Sequence, residues 1–217
     1  MYLKPALFTF LSLALITPHA GHAEAVLIAQ KGNGRGAPAC VTCHGAQGEG
    51  IPGSGFPHLA SLNSDYLLAQ LNAFASGQRA NAMMTPIAQT LTADERAELA
   101  RYYSTLGRPT ATASVPKPHS AGARLALKGR WSHGLPACVQ CHGPNGAGVG
   151  DVFPALAGQS ALYIENQLRG WQQGTRAPGP MGLMKIVASK LSDADIRSVA
   201  AYFSALPTGR PLSERTP

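Results

Sequence analysis

The chain has 217 residues, of which only 13% are charged while 24 are glycine and 17 are proline, and its formal net charge is +7. This length favours two small domains over one large one, and a domain of about 90 residues needs a bound group to complete its apolar interior. The composition therefore indicates compact helices joined by long loops around something apolar.

Residues 1–23 have the pattern of a secretory signal peptide. Lys4 supplies a positive charge, residues 6–16 are apolar or small, and small residues lead up to Ala23. The apolar run is too short to span a bilayer comfortably, although an uncleaved anchor is the alternative. We predict cleavage after Ala23, a mature chain that begins at Glu24, and a periplasmic location. No later stretch approaches eighteen apolar residues, so the mature protein is expected to be soluble.

A five-residue motif, Cys-Val-Thr-Cys-His, occupies residues 40–44. Two cysteines three positions apart with histidine next to the second are typical of a c-type haem attachment site. One helical turn lets both thiols reach the vinyl groups of one porphyrin and form thioethers, and the histidine can then bind the iron. A bare Cys-x-x-Cys pair could instead be a redox dithiol or half of a zinc site. The strand–helix–strand surroundings of the redox motif are absent from the sequence.

Two further helices are predicted in the first half of the chain. The middle helix begins near Ser64, and its apolar face is formed by Tyr66, Leu67, Leu71 and Phe74. The last helix begins at a capping box formed by Thr92 and Glu95, and its inward face holds Leu99, Tyr102 and Leu106. No stretch of useful length alternates as a strand would, so we predict an all-α fold.

The second half of the chain repeats the first. The motif recurs as Cys-Val-Gln-Cys-His at residues 138–142, an offset of 98, and Phe-Pro-x-Leu-Ala recurs at 56–60 and 153–157, an offset of 97. A second middle helix begins near Ser160, and Ser192 with Asp195 forms a second, weaker capping box. Offsets that drift by so little indicate two copies of one domain.

The limits of the two copies follow from the segment between them. Residues 108–118 are rich in proline, threonine and alanine, as linkers often are. We therefore predict tandem domains at residues 24–107 and 119–217.

Two covalently bound haem c groups are therefore predicted, one for each copy. The cysteines that attach them are Cys40, Cys43, Cys138 and Cys141, and the proximal iron ligands are His44 and His142. All four cysteines of the chain are used in this way, which leaves none for a disulfide.

The second iron ligand decides between an electron carrier and an enzyme, because an open iron can bind substrate. Met84 and Met184 coincide at an offset of 100, whereas Met83 and Met181 have no methionine counterpart. We predict Met84 and Met184 as the distal ligands. The alternative is that a methionine in an apolar loop only fills space.

The remaining histidines and the loop prolines have weaker signals. His58 and His133 align with other residue types in the opposite copy, and we interpret them as surface or loop residues. Pro57 and Pro154 follow the proximal histidines by 13 and 12 positions. A backbone carbonyl there could accept the proximal imidazole N–H and fix the ring, although a turn that only routes the chain explains these prolines almost as well.

Together these features resemble cytochrome c4, a family with two class I cytochrome c domains in tandem. The resemblance covers nearly the whole mature chain and includes both attachment motifs, the two Phe-Pro-x-Leu-Ala segments, the late methionines and Leu-Ser-Asp-Ala-Asp-Ile at residues 191–196. It implies that the domains pack about a pseudo-twofold axis with their haem propionates near one another, and that electrons pass between the haems. One departure is Ala-Ser-Leu-Asn at 60–63 where the second copy has Ala-Gly-Gln-Ser, so the first domain's loop contacts are in question.

A six-coordinate iron leaves no position for substrate, so we expect an electron carrier and not an enzyme. Its partners would be a respiratory donor, such as a cytochrome bc1-type complex, and a terminal acceptor, such as an oxidase. One alternative is the dihaem subunit of a dehydrogenase, for example a flavin-dependent enzyme that oxidises sulfide. Another is a dihaem enzyme of the peroxidase or thiosulfate-oxidising kind. We expect no nucleic acid partner and, at most, peripheral contact with the inner membrane.

Charge is divided unequally between the two halves. Residues 24–107 hold five Lys/Arg and six Asp/Glu, whereas residues 108–217 hold twelve and five. This dipole would bring the second haem's edge to an acidic partner surface, with Lys185, Lys190 and Arg176 taking part. The alternative is that the asymmetry only aids solubility.

Overall fold

The computed structural model describes residues 20–107 and 119–208, and this part of the chain is helical. Its α-helices are α1 (Ala20–Lys31), α2 (Val41–His44), α3 (Ser64–Ala75), α4 (Met84–Thr90), α5 (Ala93–Thr105), α6 (Ala121–Lys128), α7 (Val139–His142), α8 (Ala161–Gln173), α9 (Leu183–Ser189) and α10 (Asp193–Ser204). Within these residues β pairing is limited to isolated bridges. The all-α prediction is confirmed.

Each domain is built by packing its last helix against its first and middle helices. In the first domain α5 packs on α1 and α3, and α4 packs on α3. The second domain repeats this with α10 on α6 and α8, and α9 on α8. The contact between α6 and α10 is so close that a Cβ on Gly122 would lie 2.0 Å from the Ser198 carbonyl oxygen. The first domain has Ala25, fully buried, at the matching position of α1.

The helix starts are capped as the sequence indicates, with one shift. Ser160 caps α8 through Tyr163 N–H, but in the first domain the cap is Asn63, one residue before the predicted Ser64. Both capping boxes are complete, so the box of Ser192 and Asp195 is not weaker in its bonding pattern. Side-chain oxygens thus satisfy N–H groups that helix ends otherwise leave unpaired.

The inward face of α5 differs from the predicted one by a residue. Tyr103 is 4% exposed and belongs to the apolar core, whereas the predicted Tyr102 is only partly buried at its edge. The matching pair in α10, Tyr202 and Phe203, is buried at both positions. The spacing of apolar residues could not separate two adjacent aromatics, because both lie within the width of one buried helix face.

Several predicted boundaries lie outside the described residues. The linker at 108–118, the end of the second domain after residue 208, and the signal peptide up to residue 19 are among these. The predicted cleavage point after Ala23 lies inside α1, whose next residues Ala25, Ile28 and Ala29 are buried against the first domain. No helix among residues 20–107 and 119–208 has the length and apolar character needed to cross a membrane.

The two domains meet along a contact that we call the seam. Its backbone part joins residues 78–80 to residues 175–177 as an antiparallel bridge, with Ala80 N–H donating to Thr175 O at 2.9 Å and Ala177 N–H to Gln78 O at 2.8 Å. Its side chains are Gln70, Arg79, Gln167 and Arg176, which occupy matching positions in the two copies at an offset of 97. This arrangement is pseudo-twofold, as the resemblance implied.

The sequence departure at residues 60–63 has a structural reason at this interface. Ser61 adopts the same left-handed backbone as Gly158, with φ of 65° and 68°, so the loop path is kept. Gln159, which takes the place of Leu62, extends across to the first domain. Its amide accepts from His58 N–H at 3.1 Å and donates to His58 O at 3.2 Å. The departure therefore marks an asymmetric contact between the domains.

Candidate functional site

The first attachment motif lies at the wall of an apolar cavity of about 310 Å³. Cys40 precedes the single turn of α2, and Cys43 and His44 lie within that turn. All three residues line the cavity together with Met84, and most of the remaining lining is apolar, such as Leu67, Leu71, Phe74, Ile87 and Leu99. Two thiols and an imidazole on one wall of an apolar cavity fit a covalently attached haem.

Both proximal histidines are held by the carbonyls that the sequence pointed to. His44 Nδ1 lies 3.0 Å from Pro57 O, and His142 Nδ1 lies 2.8 Å from Pro154 O. The carbonyl can only accept, so Nδ1 carries the proton and Nε2 keeps the lone pair that binds iron. Burial lowers the pKa of both imidazoles, and the hydrogen bonds to these carbonyls offset only part of that effect. The lowered pKa keeps both rings neutral.

The four cysteines are partly buried, and none of them is paired with another in a disulfide. Burial raises the pKa of the Cys40 thiol, and it raises that of Cys138 to about 11. Raised values do not suit a redox dithiol, which works as a thiolate near neutral pH. Among residues 20–107 and 119–208 no three His, Cys, Asp or Glu side chains are grouped to hold a metal ion.

The methionines behave differently in the two domains. In the first, Met83 and Met84 both line the cavity, at the start of α4, although Met83 is 49% exposed. In the second, Met184 is partly buried against the core, whereas Met181 is 83% exposed. The geometry thus favours Met184 over Met181, while Met84 is preferred over Met83 by its burial and its repeat position. The distal ligands remain a prediction.

Two of the sequence interpretations need correction. His58 lies in a loop as expected, but it is only 4% exposed and faces the second domain, so it is not a surface residue. Arg176 belongs to the seam, where it bonds to Gln70 and Gln167, so it does not offer a charge to a docking partner. Lys185, Lys190 and His133 are exposed as predicted.

Sequence reasoning missed the seam residues. Arg79 with Arg176, and Gln70 with Gln167, are identical pairs at an offset of 97, and that signal was available in the repeat alignment. Gln159 gave a different signal, since it appeared only as a departure from the repeat. Neither signal indicates by itself that the side chains meet across two domains.

The family model described as cytochrome c matches residues 29–107 and again residues 120–207. A thiosulfate dehydrogenase electron acceptor from Thiomonas intermedia is 47% identical over 173 residues, which is 79% of this chain and 80% of the relative. A cytochrome c4 from Pseudomonas aeruginosa is 34% identical over 197 residues, 90% of this chain and 96% of the relative.

Solved structures give the same two groups. A thiosulfate dehydrogenase from Marichromatium purpuratum superposes with a TM-score of 0.80 and 40% identity, over 86% of this chain but only 40% of that longer chain. Reduced cytochrome c4 from Pseudomonas stutzeri superposes with a TM-score of 0.72 and 32% identity, over 86% of this chain and 97% of that one.

Proposed function

The chain belongs to the cytochrome c family, as a tandem of two such domains with two covalent haem c groups, and we propose that it is the electron acceptor of a thiosulfate dehydrogenase. That it is a dihaem electron carrier follows from the family. The proposal adds the electron donor. It is supported by 47% identity to a thiosulfate dehydrogenase electron acceptor, against 34% to a cytochrome c4. It takes up the alternative in which the chain serves a dehydrogenase, with thiosulfate and not sulfide as the substrate that is oxidised.

The haem iron supplies the one-electron chemistry when the group is bound. We propose that Cys40, Cys43, Cys138 and Cys141 attach the two groups, and that the axial pairs are His44 with Met84 and His142 with Met184. The carbonyls of Pro57 and Pro154 hold the imidazole rings in one orientation. The apolar residues of the first domain's cavity exclude water from the site. We also propose residues 24–107 and 119–217 as the two domains.

A second candidate function is that of a carrier between a bc1-type donor and a terminal oxidase. It is favoured by the coverage of cytochrome c4, since the Pseudomonas aeruginosa protein aligns over 96% of its own length. The two candidates share the site and differ only in the partner that donates electrons.

The test is the rate of haem reduction with thiosulfate, with and without a purified thiosulfate dehydrogenase. We expect rapid reduction of both haems only when the dehydrogenase is present. Reduction by thiosulfate alone would make the chain an enzyme in its own right. If the dehydrogenase does not accelerate reduction while a bc1-type complex does, the second candidate is correct and the proposal fails.

We further propose that the chain works in the periplasm after removal of residues 1–23. The measurement is the intact mass of protein recovered from the periplasmic fraction. It should match a chain that begins at Glu24 and carries two haem additions. A full-length chain in the membrane fraction would show an uncleaved anchor instead.

A further inference from the structure

Tyr103 places a buried hydroxyl at the wall of the first domain's cavity. The residue is almost completely buried, and it lines the cavity together with Cys40, Cys43 and His44. Among residues 20–107 and 119–208 no group meets the Tyr103 hydroxyl oxygen in hydrogen-bond geometry. A buried hydroxyl that makes no hydrogen bond costs free energy. This hydroxyl is therefore a donor that the protein holds ready beside the first attachment motif.

The second domain has the same ring without the hydroxyl. Phe203 matches Tyr103 at an offset of 100, and it is 1% exposed. Each ring is packed tightly against a glycine of the loop that follows the attachment motif. A Cβ on Gly48 would lie 2.9 Å from Tyr103 Cδ1, and a Cβ on the matching Gly146 would lie 2.8 Å from Phe203 Cδ1. Any larger residue at either glycine would displace the ring.

The backbone and the neighbouring ring hold Tyr103 and Phe203 in the same way. Ser61 N–H donates to Tyr103 O at 2.9 Å, and the matching Gly158 N–H donates to Phe203 O at 2.8 Å. Each ring also meets the tyrosine that precedes it edge-on, with centroids 5.1 and 5.3 Å apart. The two rings thus occupy equivalent places, and the hydroxyl is the difference between them.

The first cysteine of each motif has a different polar neighbour. Burial is the main cause of the raised pKa of Cys40 and of Tyr103, and the proximity of the two groups opposes the rise in Cys40 and adds to it in Tyr103. The Cys138 thiol instead donates weakly to Leu125 O, over 3.9 Å. A thioether has no S–H and can only accept, so attachment ends the bond to Leu125. The Tyr103 hydroxyl can still donate to the sulfur of Cys40.

We propose that Tyr103 tunes the first haem: its hydroxyl donates a hydrogen bond to the Cys40 sulfur once that sulfur is bonded to the porphyrin, and it thereby raises the reduction potential of this haem. A donor draws electron density from the sulfur and turns its positive end towards the haem, and both effects favour the electron-rich ferrous state. Phe203 has no group to donate in the second domain. The inference rests on haem attachment by Cys40, as proposed above, and is independent of the thiosulfate partner.

The test is the pair of midpoint potentials in Tyr103→Phe and Phe203→Tyr variants of the complete holoprotein. Tyr103→Phe should lower one of the two potentials and leave the other in place. Phe203→Tyr should raise the potential that Tyr103→Phe leaves unchanged. The expected shift is about two- to fourfold in the ratio of reduced to oxidised haem, which is ~18–36 mV for one electron. Because the two variants must move different potentials, the comparison does not require each potential to be assigned to a haem beforehand.

Three measurements control this test. Tyr102→Phe removes a hydroxyl from the adjacent, partly buried residue at the edge of the core and should leave both potentials unchanged. Resonance Raman spectra should show one carbon–sulfur stretching band shifted in Tyr103→Phe, whereas a hydroxyl that only fills space would not affect that band. Intact mass shows whether each variant carries two haems. If Phe203→Tyr does not fold, the potentials and Raman spectra of Tyr103→Phe still decide.

The possible failures can be told apart. If Tyr103→Phe changes neither potential, or lowers both equally, Tyr103 does not tune the first haem and the proposal is wrong. If one potential falls while every carbon–sulfur band stays in place, the hydroxyl does not act through the Cys40 sulfur and the proposal is again wrong. A wild-type mass with fewer than two haems would refute the attachment itself. Failure of thiosulfate to reduce the haems through a dehydrogenase would refute only the proposed partner.

Discussion

The two domains keep the same attachment motif, proximal histidine and carbonyl acceptor, yet differ in what surrounds them. Where the first domain has Tyr103 beside its cavity, the second has Phe203. Across the interface, the backbone of His58 is hydrogen-bonded to the side chain of Gln159. The matching residue of the second copy, Ala155, is instead buried with the first domain's apolar core. Duplication has preserved the attachment motifs and the matched side chains of the seam, whereas the contact between His58 and Gln159 has no counterpart in the other copy.

This comparison indicates that the two haems lie in different surroundings, even though we propose the same pair of ligands for each iron. The largest effect is expected from variants that test whether both irons have a methionine as their second ligand. Met84→Ala and Met184→Ala should each remove about half of the near-infrared methionine–iron band of the ferric protein, because each opens one iron. Near-infrared absorption at matched haem content gives the measurement.

The neighbouring methionines are the controls for these variants. Met83→Leu and Met181→Leu should leave the band intact. Because Met83 also lines the cavity, loss of half the band in Met83→Leu would show that the first domain uses the adjacent residue and that the domains differ in their ligand register.

The next comparison concerns the contact between first and last helices. Gly122→Ala would place a Cβ 2.0 Å from Ser198 O, so the helices must separate, at a cost of about 1–3 kcal/mol. The matched change Ala25→Gly removes one buried methyl group without creating a clash and should cost about 1 kcal/mol through lost packing. Guanidinium unfolding followed by circular dichroism compares the two. Equal costs would mean that the second domain's helices are not packed more closely.

Acid should affect the two capping boxes to different degrees. Burial raises the pKa of Glu95, but hydrogen bonds from Thr92 N–H and Arg35 outweigh that effect and lower it below its ordinary value. A hydrogen bond from Arg130 lowers the pKa of Asp195. A carboxyl whose pKa is lower in the folded than in the unfolded chain stabilises the fold fully at pH values above its ordinary pKa of about 4. That stabilisation is lost as the pH falls through the pKa of the folded state.

Removing each carboxyl at neutral pH tests this difference. Glu95→Gln should destabilise by about 1–2 kcal/mol, since its side chain is 6% exposed and accepts charged bonds. Asp195→Asn, at 13% exposure, should cost about 1 kcal/mol or less. Unfolding midpoints measured from neutral to acidic pH check both, and each variant should show a flatter acid limb than the wild type. If Asp195→Asn destabilises the protein more than Glu95→Gln does, the second capping box contributes more stability than the first and the prediction is wrong.

The smallest expected effect concerns docking charge. If the positive second domain meets the partner, Lys185→Glu should slow association about three- to tenfold at low salt, and rising salt should slow the wild type. Lys190 also bonds to the His133 and Gly134 carbonyls, so Lys185 is the cleaner change. Glu24→Lys in the first domain is the control. The prediction is wrong if the stopped-flow association rate does not change with salt, or changes only in the Glu24→Lys variant. The charge asymmetry would then serve solubility alone.

Local chemistry was predictable from the sequence, and contact between distant segments was not. The attachment motifs, capping boxes, helix faces and proline carbonyls depend on residues close together in the chain, where spacing fixes geometry. The Arg79–Arg176 pair depends on how two domains orient, and no local pattern encodes that orientation. For this reason His58 and Arg176 were wrongly predicted to be exposed, because the sequence does not show that the other domain covers them.

The backbone bridge at the seam also makes one part of the first domain depend on the second. Residues 78–80 lie three residues before α4, and in between them the Asn81 side-chain oxygen accepts from the Met83 and Met84 backbone N–H groups at 3.0 and 2.8 Å. Their bridge partners lie 97 positions later in the chain. The segment that leads into Met84 therefore has its backbone partners only when residues 175–177 lie against it, and a chain truncated before residue 175 would leave the first domain unfinished at this point.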